Sequence, residues 1–175
     1  MDYDNLVLVV GTYGDADAAS KDFKAMKDGE SAGEYKVVGS VVMHRGDTGD
    51  VVVEEHGDKR TGLGAVAGGG IGLIVGLFAP PLLAATAIGA GIGAAIGYFT
   101  KRHEEKKLGV EMDEYLPPGS SAVVAVVDDT YADKVEAALV NSDKRINKAI
   151  DKDDYDALEK ALSKSADEVS DAVTS

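Results

Sequence analysis

Leu6 to Val10 is an unbroken apolar run, rich in β-branched residues and closed by Gly11, which predicts a strand buried on both faces. Gly14-Asp15 opens a helix in which Ala18, Ala19, Phe23 and Met26 recur at helical spacing. Asp15 and Asp17 sit where the helix dipole favours anions, and Gly29 marks the predicted stop. Tyr35 to His44 predicts a second strand. Gly46-Asp47-Thr48-Gly49 supplies a turn before Val51, Val52 and Val53, so these two runs form a hairpin. Further on, Pro117-Pro118-Gly119 breaks the chain and Ala122 to Val127 repeats the buried-strand pattern. Asp128-Asp129-Thr130 caps a helix over Tyr131 to Leu139, and a short last strand is expected around Arg145 to Ile150.

The order β-α-β-β, insert, β-α-β predicts an α+β fold: a ferredoxin-like antiparallel sheet carrying an inserted glycine-zipper helical hairpin and a C-terminal amphipathic helix. Residues 1–60 and 101–150 are the two halves of the α+β domain, 61–100 the hairpin and 151–175 the terminal helix. The insert falls between the third and fourth strands, where such a fold normally places its second helix. In the terminal segment Tyr155, Leu158, Leu162, Val169 and Val173 form one stripe opposite Asp and Lys. That stripe needs an apolar cover, supplied by the domain's own sheet or by a protein partner.

From Thr61 to Thr100, 40 consecutive residues contain no Asp, Glu, Lys, Arg or His, and they hold 11 of the 21 glycines. Gly64, Gly68, Gly72 and Gly76 are spaced by four, as are Gly89, Gly93 and Gly97. Residues four apart share a helical face, so each arm presents a groove bare of side chains along which a second helix packs closely. Pro80 and Pro81 remove backbone donors between the arms and form the hairpin turn. Each 19-residue arm, as a helix, is about 28 Å long, close to a hydrocarbon core of ~30 Å. Interior glycines cost about 1 kcal/mol each relative to alanine, on the order of 7 kcal/mol for the seven, and close packing in a dry environment is what offsets this.

Charge sharpens the contrast. The chain has 31 Asp plus Glu against 18 Lys plus Arg, net −13, which argues against nucleic acid as a partner. With no cysteine, thiolate chemistry and disulfides are excluded. The N-terminus lacks a positive stretch before its apolar run, so no cleaved secretory signal is expected. Lys59 and Arg60 precede the insert and Lys101 and Arg102 follow it, flanking cations that place both ends of a membrane hairpin in the cytoplasm. The apex from 76 to 83 contains nothing polar, which leaves open whether the hairpin spans the bilayer, dips into it, or packs inside a protein assembly.

Four stretches together carry a family resemblance: the Leu6–Val10 strand; Asp58-Lys59-Arg60-Thr61-Gly62-Leu63-Gly64-Ala65; the Gly/Ala run with Ala79-Pro80-Pro81; and Leu116-Pro117-Pro118-Gly119-Ser120-Ser121-Ala122. Over residues 4–150 the chain resembles the bacterial proteins assigned to the domain of unknown function numbered 1269, often described as stress-associated or membrane proteins. The terminal helix looks like an addition. The resemblance implies a fold and a membrane-linked or self-assembling habit. It implies no catalytic residues, since the family has no established reaction.

Candidate chemistry is thin. Gly62-Leu63-Gly64-Ala65-Val66-Ala67 has the letters of a dinucleotide fingerprint, but the acid needed about 20 residues later would fall in the uncharged stretch. His44, His56 and His103 lack ligand spacing, and Asp151, Asp153, Asp154 and Asp156 lack the glycine and terminal glutamate of a calcium loop. Glu54 and Glu55 beside His56 read as a solvated strand end. The expectation is a non-enzymatic protein without cofactor or metal, whose partners are itself and the lipid bilayer, at the cytoplasmic membrane with its α+β domain in the cytoplasm. The alternative is a soluble cytoplasmic shell, ring or filament whose hairpins pack together without lipid.

Overall fold

The computed structural model describes residues 5–48, 51–54, 112–150, 152–153 and 156. Its elements are β1 (Leu6–Tyr13), α1 (Ala16–Ser31), β2 (Val37–Arg45), β3 (Val51–Glu54), α2 (Met112–Tyr115), β4 (Ser121–Asp128), α3 (Asp129–Ala138) and β5 (Lys144–Ile150). They belong to one compact unit, Met1–Gly57 with Glu111–Lys152. The fold is mixed α+β, with all five strands in one antiparallel sheet of order β3-β2-β4-β1-β5.

β1 and β4 lie near the middle of the sheet because both are apolar on successive residues. In register, Leu8 faces Val126 and Val10 faces Val124. Val9, Val123 and Ala125 point to the side covered by α1 and α3, where Phe23, Met26, Val135 and Leu139 complete the core. Burying one such Val, Leu or Phe stabilises the fold by about 1.5–3 kcal/mol relative to leaving it exposed. Leu8, Val10, Val41, Met43 and Val126, which alternate with that set, are buried as well. The sheet is thus apolar on both faces, the condition for continuous rather than alternating hydrophobic runs.

α1 begins where expected: the Asp15 carboxylate caps it by accepting from Asp17 N at 2.9 Å. Its end departs from the sequence reading. The helix passes through Gly29 to Ser31, and Gly33, at φ +78°, supplies the left-handed residue. Gly33 N donates to Glu30 O and Glu34 N to Gly29 O, the paired bonds of a Schellman termination. Tyr35 correspondingly lies outside β2, buried, with its hydroxyl donating to Met26 O at 2.8 Å.

Strand order goes beyond what the element order specified. β3 is an edge strand bonded to β2, and the described helix that crosses back over the sheet after the insert is α3, between β4 and β5. α3 starts at Asp128, whose carboxylate accepts from Thr130 N at 3.0 Å and from the Thr130 hydroxyl. These bonds, the hydroxyl's first, hold the Asp128 carboxyl below its ordinary pKa.

Candidate functional site at the junction of the insert

The residues singled out in the sequence for assembly lie outside the described residues: Gly64, Gly68, Gly72, Gly76, Gly89, Gly93 and Gly97, the turn at Pro80 and Pro81, and the cations Lys59, Arg60, Lys101 and Arg102. So do His56, His103 and the apolar stripe from Tyr155 to Val173; Lys152, Asp153 and Asp156 are helical. No helix among the described residues is long and apolar enough to cross a membrane. What the structure does describe is how the sheet receives the two ends of the segment between β3 and α2.

The outgoing end is β3, whose four residues pair with Val42–Arg45 of β2. The returning end is fixed by three strands. Thr12 Oγ1 on β1 donates to Tyr115 O at 2.6 Å. Arg45 Nη1 on β2 donates to Leu116 O at 2.9 Å. Lys144 Nζ on β5 donates to Glu114 Oε1 at 2.5 Å and stands 4.4 Å from the centroid of the Tyr115 ring. The Glu114 hydrogen bond, aided by the charges of Glu114 and Tyr115, raises the Lys144 pKa. Tyr115 and Leu116 are buried, and Gly119, at φ +76°, turns the chain so that its N–H donates to Arg45 O at 2.9 Å before β4 starts. Pro117 and Pro118 make the break expected from the sequence, but the anchors do not show there: Thr12 and Tyr115 are 103 positions apart.

Two polar clusters lie elsewhere. His44 Nδ1 and Ser121 Oγ are 2.6 Å apart, the spacing of a base and a nucleophile. Ser121 is only 3% exposed at the first position of β4, so its hydroxyl is closed to an incoming substrate and the pair ties β2 to β4. The second cluster surrounds Asp22 on the buried stripe of α1 between Ala19 and Met26. Its carboxylate accepts from Tyr13 Oη at 2.9 Å, Asn141 N at 2.8 Å and Asn141 Nδ2 at 2.6 Å. Burial, then the Asp22 hydrogen bond, pushes the Tyr13 pKa far above its ordinary value. The cluster locks α1 to the end of β1 and to the α3–β5 turn, and every polar group named in it is partnered. Among the described residues there is no group of three or more His, Asp or Glu that could hold a metal ion.

A sheet apolar on both faces, with α1 and α3 on one of them and an edge strand and a firmly held return on either side of a long segment, defines a mixed α+β protein built around an insertion. The chain belongs to the family described as Protein of unknown function (DUF1269), whose model matches residues 65–163. No curated protein and no solved structure matches it. The matched span contains α2, β4, α3 and β5, whereas β1, which hydrogen-bonds both β4 and β5, lies before it.

Proposed function

We propose that this is a non-enzymatic, membrane-associated protein that assembles with copies of itself through a glycine-zipper hairpin formed by residues 61–100, with its α+β domain in the cytoplasm. The observation that carries the reading is the 40-residue uncharged segment with glycines at spacing four in both halves. Lys59, Arg60, Lys101 and Arg102 fit anionic headgroups on one side of a bilayer. The anchoring of Glu114–Leu116 to three strands adds a rigid base against which such a hairpin transmits load. A stress-related role and a protein partner for the terminal helix belong to the same proposal.

We read the domain itself as ferredoxin-like. What supports this is that β1-α1-β2 and β4-α3-β5 are two split β-α-β units: β4 lies between β1 and β2, and β1 lies between β4 and β5. β3 is then an addition at the edge.

The apolar apex from 76 to 83 favours a second reading, a soluble homo-oligomer in which hairpins bury one another without lipid. Fractionation separates the two: carbonate-resistant pelleting with membranes supports the first, and a large particle in detergent-free lysate supports the second. Both require the ladders. Replacing Gly72 by Leu fills the groove and is expected to disperse the oligomer in sedimentation velocity; an unchanged particle size refutes assembly through these glycines.

A further inference from the structure

β5 borders the sheet: it pairs with β1 and has no second neighbour among the described strands. Its seven residues include no proline or glycine, none of them is buried, and Lys144, Arg145, Asn147 and Ala149 are exposed. An edge of this kind presents a row of main-chain donors and acceptors to any strand that reaches it. Proteins commonly guard such edges with long cationic side chains, and β5 carries three, Lys144, Arg145 and Lys148. Two of the three are engaged by the strand's own domain. Lys144 Nζ is held by Glu114 Oε1 of α2 at 2.5 Å, and Arg145 Nη1 donates to Glu136 O of α3 at 3.1 Å. Asn147 Nδ2 likewise donates to Glu136 Oε2 at 2.8 Å. These side chains are drawn back onto the two helices, and the main chain of the edge stays open to a partner strand.

We propose that β5 docks a second copy of this chain: the two β5 strands pair antiparallel about a two-fold axis at Asn147 and join two five-stranded sheets into one. The charge pattern selects both the occupant and the register. With Asn147 on the axis all seven residues pair, and Lys144 lies opposite Ile150 of the partner subunit, Arg145 opposite Ala149 of the partner subunit, and Ile146 opposite Lys148 of the partner subunit. No two cations face each other. Moving the axis to Ile146 shortens the ladder to five pairs and sets Lys144 against Lys148, and parallel pairing in register sets every cation against its own copy. Like charges directly opposed across strands are destabilising, so the full-length antiparallel register is the favoured one. A seven-residue ladder is a small contact, at the low end of specific interfaces, and the dimer it makes is reversible. The edge uses none of residues 61–100 and stands apart from the assembly reading above.

The absence of native cysteine makes oxidative cross-linking of the full chain a direct test. Asn147→Cys should give a disulfide-linked dimer, because Cα atoms directly opposed across an antiparallel pair are about 4.5–5.5 Å apart, within the reach of a disulfide. Ala149→Cys should give at least about tenfold less, since its two copies are offset by four residues, roughly 13 Å along the strands. Equal cross-linking at the two positions, or none at 147, overturns the proposal. Charge supplies a second readout. In the Asn147→Cys chain, Ala149→Glu places an acid opposite Arg145 of the partner subunit and Ala149→Lys places a cation there, at an exposed position in both cases. The glutamate variant should cross-link at least about fivefold faster than the lysine variant; equal rates or the reverse order overturn the register. The same oxidation in the Gly72→Leu background separates the edge from the hairpin: a disulfide at 147 that persists belongs to β5, and one that disappears overturns β5 as an interface in its own right. A wild-type chain that neither pellets with membranes nor forms large particles refutes the assembly reading instead, and the disulfide at 147 still decides for or against the edge.

Discussion

Replacing Asp22 by Ala removes the acceptor of three hydrogen bonds at once, and the local burial fixes what that costs. Tyr13 is 0% exposed, so its hydroxyl, which donates to Asp22 Oδ2 at 2.9 Å, is stranded without water when the carboxylate goes. Asn141 is exposed, and its two donors are re-hydrated at smaller cost. A stranded buried donor costs about 1–3 kcal/mol, and the bonds from Asn141 add about 1 kcal/mol. The expected loss for Asp22→Ala is therefore about 2–4 kcal/mol, read from urea titration followed by far-UV circular dichroism. Tyr13→Phe leaves the carboxylate with both Asn141 donors and should cost less, about 1–2 kcal/mol. The double variant should lie below the sum of the singles by about 1 kcal/mol or more, because the second change removes a group the first had already orphaned. Strict additivity, or a loss under about 1 kcal/mol for Asp22→Ala, would refute the view of this cluster as a buried clamp.

Two further outcomes follow from tyrosines. In the native protein Tyr13 keeps its proton above the ordinary pKa of 10.0, while the unfolded chain releases it there. Above that point the native state binds more protons than the unfolded one, so the contribution is fully present below about pH 10 and declines as pH rises beyond it. Thermal melts from pH 8 to 11 should show this fall, shallower in Tyr13→Phe; equal slopes refute it. Tyr35, also raised chiefly by burial, adds in the same direction. Gly29→Ala tests sign rather than size: helix propensity alone predicts a gain of about 1 kcal/mol. The new Cβ, however, would lie 2.4 Å from Tyr35 Oη and 2.8 Å from Cζ of a ring that is 3% exposed, so a loss of about 1–3 kcal/mol is expected in a urea titration. A stabilised variant shows that the ring moves freely.

Much of the sheet could be read from local pattern. Leu6–Val10 and Ala122–Val127 are apolar at consecutive positions and form the buried strands β1 and β4, and Asp15 and Asp128 cap the helices that follow them. These signals act within a few residues of the chain. Strand order does not. The edge position of β3 and the neighbours of β1 are set by pairings such as Leu6 with Asp128, which no periodicity encodes. The same limit hid the junction, since Lys144 and Glu114 look like ordinary surface charges until β5 and α2 are brought side by side. Gly29 was a misleading stop because two glycines stand four apart, and only the φ of +78° at Gly33 distinguishes which one turns the chain. The glycines spaced by four between Gly64 and Gly97 were legible as a pattern and fall beyond the described residues.

β1 precedes the other described strands, and its ladder partners among them are β4 and β5, with Leu6 aligned on both Asp128 and Ile150. During synthesis it waits for strands more than 100 positions downstream, and the uncharged stretch from 61 to 100 leaves the ribosome in the meantime. An uncharged, glycine-rich stretch is thus synthesised before the sheet that flanks it can close, which makes the timing of translation part of how this polypeptide folds.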